Sequence, residues 1–513
     1  MTVAAVLLAA AWSVVACGSD APAPGARPAG RPGAKAAAPA HAAAAVRPPA
    51  ESAAVGLEPE ARRRELQLAE LVLAQRMQRT VRELVALGPR MGGTPSGDRA
   101  AAYLRSAFEE LGLAAEVVED PAAPAHWEDG WSVELLPGGP LQTAYPYGFS
   151  PSSGPATAPL LQVADLAAEG PRPEWAGKVL YTPGAVGTAY RRIVASGHLP
   201  LAILTSSPND PHRYRDASRI GALPALAANP IPVFAVSYDD GLRLAAAARG
   251  SSVVRVALRS TVRVGRPKTV VATLPGTERQ SYYLICAHGD SDSGGPGADD
   301  NASGEATVLE LARVLTQLRR DGRLGAPRIT LRFAVWGAEY ASSRAYAARA
   351  GDQLRRCLGV INFDETGTGA EREAIYFESN EVPWNRGLLR TLDRVGADYL
   401  GKPGFWPEYT TNPSQGGTDS YVFLPPRYQG ELKSALEVPA TTVYTAAWDH
   451  LATLRQTPGW ETRGTPDPSQ LEIDYSRYYH SSGDTPQNTT DRKPQAMVRA
   501  ARAVGIALLR LAF

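Results

Sequence analysis

Residues 332–342 read RFAVWGAEYAS. Phe333 to Trp336 form a short apolar run that stops at Gly337, and the carboxylate Glu339 follows at once. Such a run, bounded by glycine and too short for a core helix, reads as a strand buried on both faces. An acid at the end of a buried strand is costly to desolvate unless it has a partner or a task. Working outward, SYYLICAH (281–288) reads as a second strand and LGVINFD (358–364) as a third. Between them SGEATVLELARVLTQL (303–318) and SSRAYAARAG (342–351) carry helical spacing, and a further helix closes the chain at 494–513. Strands alternating with helices predict an α/β fold, with a mostly parallel mixed sheet sandwiched by helices. In such sheets ligands bind at the C-terminal ends of the strands.

Those ends carry chemistry. The strand 281–288 ends in His288 and Asp290, and the loop SDSGGPGADDNASG (291–304) adds Asp299 and Asp300 before the next helix. The strand 328–336 leads to Glu339, and 358–364 ends in Asp364 followed by Glu365. Far downstream, YYHSSGD (478–484) offers His480 and Asp484. Singly, an acid at a strand end reads as a helix cap or a turn residue, and Asp299 fits that description. Together, histidine and carboxylate donors without thiolate suit zinc or a similar divalent ion in a catalytic site.

The rest of the chain bounds the alternatives. Its 513 residues exceed one compact core, so more than one domain is expected. With 53 basic and 52 acidic residues and no basic stripe, a nucleic-acid partner is excluded. MTVAAVLLAAAWSVVAC (1–17) reads as a secretory signal whose Cys17 follows small residues, as in a bacterial lipoprotein. This implies a membrane partner through a lipid anchor and a location outside the cytoplasm, anchored to the cell envelope or secreted. Residues 18–60, rich in Ala, Pro and Gly, lack the large apolar side chains needed to fold and read as a disordered tether. Helical spacing begins in LAELVLAQRMQRTVRELVALG (68–88) and returns in RAAAYLRSAFEELGL (99–113). From 153 to 262 short apolar strands dominate and chemical residues thin out, so this β-rich unit reads as an inserted, non-catalytic module between 61–152 and 263–513. Cys286 and Cys357 lie in apolar strands and are expected as buried free thiols.

HGDSDSGGPGADDNASGEA, VWGAE, INFDETG and YYHSSGDT together resemble the M28 family of zinc peptidases, and LGPRMGGTPSGDRAAAYLRSAFEELGL is similar to that family's opening helices. The segment 153–262 resembles the protease-associated (PA) domain that many members carry as an insertion. The resemblance implies that His288 binds a first zinc, completed by Asp364, and that Asp290 orients His288. It implies that Asp300 bridges to a second zinc held by His480, with a cis peptide after Asp300. Glu339 takes the place of the general base, and Tyr479 that of a tyrosine that hydrogen-bonds the tetrahedral intermediate.

One position departs from the family. Glu-Glu is usual after WGA, the second Glu binding zinc, and here the pair is Glu339-Tyr340. A phenol is a poor ligand unless the metal deprotonates it. The second site is therefore expected to be weakened, or completed by another carboxylate such as Glu365, or lost together with catalysis in a protein kept for binding. The expected activity is a zinc-dependent exopeptidase acting on peptides through a metal-activated water. An aminopeptidase would hold the substrate's α-amine on a carboxylate such as Glu365 or Glu378. A carboxypeptidase, a dipeptidase and a glutaminyl cyclase are the other readings of the same fold.

Overall fold

The computed structural model describes residues 59–513, apart from 208, 210, 212–213, 226–227, 292–293, 369–372, 379–385, 413–417, 424–437, 446–461 and 464–477. Cys17 and the 18–58 part of the tether lie outside the described residues. The described residues open with helices α1 (Pro59–Leu71), α2 (Ala74–Ala86) and α3 (Pro95–Glu110). The continuous periodicity of 68–88 predicts one helix here, yet the chain breaks at Leu73, which is extended. Its N–H turns outward to the Glu310 carboxylate at 2.9 Å, and Arg313 reaches back to the Leu71 carbonyl at 2.5 Å. Tertiary hydrogen bonds override a favourable helical pattern at this point.

Strand β1 (Ala114–Glu119) leads into a second layer made of β2 (Ala123–Leu136), β3 (Gly139–Pro140), β4 (Tyr145–Pro146), β5 (Ser153–Gln162), β6 (Val179–Thr182), β7 (Ala202–Thr205), β8 (Val233–Ala235) and β9 (Val253–Gly265). These eight strands form one sheet in the order β3-β2-β9-β5-β6-β7-β8-β4. Short helices α4 (Leu166–Glu169), α5 (Gly187–Ser196) and α6 (Tyr238–Ala247) accompany it. The layer has apolar clusters of its own, around Leu204, Phe234 and Val256 on one side and Trp175, Tyr190 and Ile203 on the other. Its longest pairing joins β2 to β9, so β2 belongs to this sheet although it precedes residue 153.

The first sheet resumes with β10 (Lys268–Leu274), β11 (Glu278–His288), β12 (Ile329–Trp336), β13 (Cys357–Phe363), β14 (Ile375–Glu378), β15 (Tyr409–Asn412), β16 (Ala440–Tyr444) and β17 (Thr462–Arg463). With β1 they form nine strands in the order β1-β10-β12-β11-β13-β16-β14-β15-β17. The centre, β12-β11-β13-β16, is parallel, while β10 joins β12 and β14 joins β16 antiparallel. The expected mixed α/β sheet is thus present, parallel where the candidate residues lie. Helices α7 (Gly304–Arg320), α8 (Glu339–Ala350), α9 (Arg386–Tyr399) and the C-terminal helix (Gln495–Ala512) complete the layers. Leu311, Leu315, Val504 and Leu508 bury into the largest apolar cluster, against Ile285, Phe333 and Ile361 of the sheet. Cys286 and Cys357 are buried free thiols, as expected, and burial raises both above the usual thiol range.

Candidate metal centre

The parallel strands deliver their C-terminal ends to one place. His288 is the last residue of β11, Asp364 directly follows β13, and Glu339 opens α8 just past β12. His288 Nε2 lies 3.1 Å from one carboxylate oxygen of Asp300 and 3.3 Å from Asp364. The other oxygen of Asp300 lies 3.1 Å from His480 Nε2, so Asp300 stands between the two imidazoles. Against the effect of burial, those imidazoles hold Asp300 below the usual carboxylate range. The peptide between Asp300 and Asn301 is cis, as the resemblance implies.

The other ring nitrogen of His288, Nδ1, faces Asp290, 3.0 Å from its carbonyl and 3.4 Å from its carboxylate. An N–H at Nδ1 leaves Nε2 free as a ligand atom. The Asp290 carboxylate also accepts the Glu339 backbone N–H at 2.9 Å. Asp290 therefore ties the His288 ring to the first residue of α8. Burial pushes Glu339 well above the usual carboxylate range, opposed by His288 and reinforced by Asp419, Asp290 and Asp364.

Ligand atoms of His288, Asp300 and Asp364 all lie within 4.8 Å of one another. Asp364 accepts one hydrogen bond, from Thr418 at 2.8 Å on Oδ2, while its buried Oδ1 has no hydrogen-bond partner among the described residues. One imidazole and two carboxylates, one with an orphaned oxygen aimed at the imidazole, fit a divalent ion of the zinc type. Tyr340 follows Glu339 into α8 and packs against the apolar cluster that contains Trp336 and Phe423. Tyr479 stacks on the His480 ring with centroids 3.5 Å apart.

Other residues take roles the sequence did not assign. Asp299 is a hub for the loop after Asp364: it accepts the backbone N–H groups of Gly367 at 2.7 Å and Thr368 at 3.1 Å, and the Thr368 hydroxyl at 2.6 Å. Burial raises Asp299 to about 6. The Asp484 carboxylate accepts the N–H groups of Asp299 at 2.8 Å and Asp300 at 3.0 Å. Asp419 sits fully buried at the start of a short helical turn, and burial raises it to about 7 against the pull of His288. Its stretch GTDSYVF has no periodicity that would have singled it out. Beneath the site, the buried Arg90 guanidinium lies 3.3 Å from the buried Glu305. It donates to the carbonyls of Gly289, Pro296 and Gly297 at 3.2, 3.0 and 2.8 Å, clasping the loop between His288 and Asp300.

Residues 269–505 match the model of peptidase family M28. The chain is similar in sequence to leucine aminopeptidase 2 of Trichophyton equinum, 29% identical over 286 residues, which are 53% of this chain and 51% of the relative. The chain thus spans about half the length of that curated relative. In fold, the chain is similar to a peptidase M28 precursor of Shewanella amazonensis, with TM-score 0.60 and 18% identity over 88% of this chain and 96% of the other. It is also similar to a zinc aminopeptidase of Bacillus subtilis, with TM-score 0.57 and 20% identity over 86% and 95% of the two chains.

Proposed function

We propose that the protein is a zinc-dependent exopeptidase, and specifically an aminopeptidase that removes N-terminal residues from peptides. The observation that carries this reading is the placement of Asp300 between His288 and His480, with Asp364 on the same imidazole and Glu339 tied to it through Asp290. The family match and the aminopeptidase relatives support it. His288, Asp300 and Asp364 would hold the tighter zinc. Asp300 and His480 would hold a second, weaker one, because Tyr340 stands where the resemblance implies a carboxylate ligand. Bound there, zinc supplies a Lewis acid and lowers the pKa of water. Glu339, raised by burial, takes a proton from the attacking water and hands it to the leaving amine. Tyr479 donates its hydroxyl to the oxyanion. Asp290 keeps the His288 ring in its ligand tautomer.

Selectivity for a free α-amine follows from the acids beside the centre. Glu365 and Glu378 are buried, and Glu365 Oε1 has no hydrogen-bond partner among the described residues. Burial, then Glu378, Asp364 and Glu365, raise the Tyr444 phenol well above its usual range, so both glutamates border this phenol. A cationic amine suits such a wall; a substrate carboxylate does not. The second reading, a fold retained for binding with catalysis lost, is favoured by one observation, the turn of Tyr340 into apolar packing. The test is zinc content of the purified protein alongside hydrolysis of aminoacyl reporter substrates, with Glu339→Gln as control. Bound zinc, with activity that the variant loses by about 10²- to 10⁴-fold while keeping its zinc, supports the enzyme. Neither zinc nor hydrolysis, under zinc supplementation, overturns the enzyme and leaves the binding reading.

The proposal extends to the envelope. Cys17 is the lipidated residue, the residues between it and α1 the tether, and the second layer, 123–265, a PA-like unit inserted into the peptidase. Cys17→Ala should move the protein from the membrane to the soluble extracytoplasmic fraction; unchanged membrane retention would count against the anchor.

A further inference from the structure

Residues 214–220 of the second layer run beside residues 478–483, which carry Tyr479 and His480. The Tyr214 hydroxyl donates to the Tyr479 carbonyl at 2.8 Å, and the Ile220 N–H donates to the His480 carbonyl at 2.9 Å. The Ser218 N–H donates to the Ser482 hydroxyl at 3.0 Å, and the Ser482 N–H returns to the Ser218 carbonyl at 2.9 Å. Arg219 and Ser481 pair as an antiparallel bridge. The approach is close: a Cβ on Gly483 would stand 2.8 Å from the Ala217 Cβ. His480 itself has φ of 50°, a left-handed conformation that side chains other than glycine hold only when their surroundings impose it.

The strip 214–220 is anchored in turn to its own layer. The carbonyls of Tyr214 and Arg215 accept the N–H groups of Tyr238 and Asp239 at the start of α6, and the Ser218 hydroxyl donates to the Thr143 carbonyl. The same layer touches the opposite side of the centre. The Tyr145 hydroxyl donates to the Gly294 carbonyl at 2.9 Å, within the loop between His288 and Asp300. A Cβ on Gly294 would meet the buried His126 ring at 3.2 Å. One layer therefore grips both loops that flank Asp300.

We infer that the second layer is a working part of the metal centre: Tyr214, with the strip 214–220, is a positioning element that fixes His480 and Tyr479. The inference rests on the zinc peptidase reading for its consequence and on the hydrogen bonds alone for its geometry. The module expected to be non-catalytic would thus act on the site by positioning. The layer braces the backbone of Tyr479 and His480.

The experiment uses the full-length protein and Tyr214→Phe, which keeps the ring and removes the one hydroxyl. Hydrogen–deuterium exchange of the peptide covering 478–484 reads the brace directly, and its protection should fall about fivefold, the worth of one hydrogen bond. Zinc competition against a chelating dye should show at least one zinc step weakened roughly tenfold. The value of kcat should fall in parallel, with KM within about twofold. Ser482→Ala, which removes the acceptor of the Ser218 N–H, should give the same pattern, and it stands in if Tyr214→Phe folds poorly. Exchange at 478–484 equal to wild type in both variants would overturn the inference. Wild-type protein with neither zinc nor hydrolysis would overturn the peptidase reading instead, while the exchange result would still decide the brace.

Discussion

The two imidazoles on Asp300 are held in contrasting ways. His288 ends a central strand whose neighbours β12 and β13 are both parallel to it and both fully described by short-range pattern. Its loop is fixed from below by Arg90, which belongs to the segment ahead of α3. His480 belongs to no strand of either sheet, and its backbone is held by a strip of the second layer some 260 residues earlier in the chain. The first imidazole is placed by the architecture of the sheet, the second by contacts between layers. A metal centre built this way should have one robust side and one tunable side.

Substituting each histidine is the sharpest way to break that contrast. His288→Ala should lose the tight zinc and reduce kcat/KM by about 10³-fold or more, since the Lewis acid itself goes. His480→Ala should keep one zinc and lose about 10- to 100-fold, the range found when groups around a metal are removed. Zinc counted by mass spectrometry beside kcat/KM reads both. Loss of all zinc from His480→Ala would show that the two sides are not independent.

The robust side has a foundation that can be removed without touching a ligand. Arg90→Met leaves Glu305 buried without its cation, and three carbonyls without their donor. Breaking a buried pair in this way costs about 3–5 kcal/mol. Urea unfolding at pH 7 should show a midpoint lowered at constant slope. Burial raises Glu305 to about 7 even though Arg90 lowers it, so without Arg90 the stranded carboxyl is raised further. The gap between Arg90→Met and wild type should therefore narrow as the pH falls from about 9 to 7, where the stranded carboxyl takes up its proton before the wild-type one does. A gap that stays constant would show that the Glu305 charge is not the source of the loss.

The same contrast governs how much could be seen beforehand. Strands β11, β12 and β13 were legible because buried parallel strands are short apolar runs between glycines and helices, and His288, Glu339 and Asp364 came with them. The helix expected across 68–88 was broken by Glu310 and Arg313, residues far along the chain that no local window contains. Asp419 was invisible because a buried acid in an aperiodic turn looks like any turn acid until the turn is folded against His288. Asp299 read as a helix cap, and its role as a hub for 366–368 depends on where β13 ends. The grip of 214–220 on 478–483 left no trace in composition, because backbone hydrogen bonds between loops impose little choice of side chain.

Tyr340 offers the smallest effect and tests the tunable side alone. Tyr340→Glu introduces the carboxylate that the resemblance to zinc peptidases implies after the base, and it removes a phenol that packs on the Trp336 and Phe423 cluster. The lost packing should cost about 1 kcal/mol, within the ordinary range for a partly buried position. If Asp300 and His480 lack only a third ligand, the second zinc step should tighten by up to about tenfold in the dye competition, with the first step unchanged. If the affinity does not move, another carboxylate of the centre fills the position. Glu365 is then the group to remove next, because it is buried, borders Asp300 and Asp364, and keeps one oxygen without a hydrogen bond among the described residues. Tightening in Tyr340→Glu and insensitivity in Glu365→Gln would mean that the weak second site is a property of residue 340 alone. The reverse pair would mean that the chain has moved a ligand from α8 to the end of β13, and that the tunable side of the centre is set by the sheet after all.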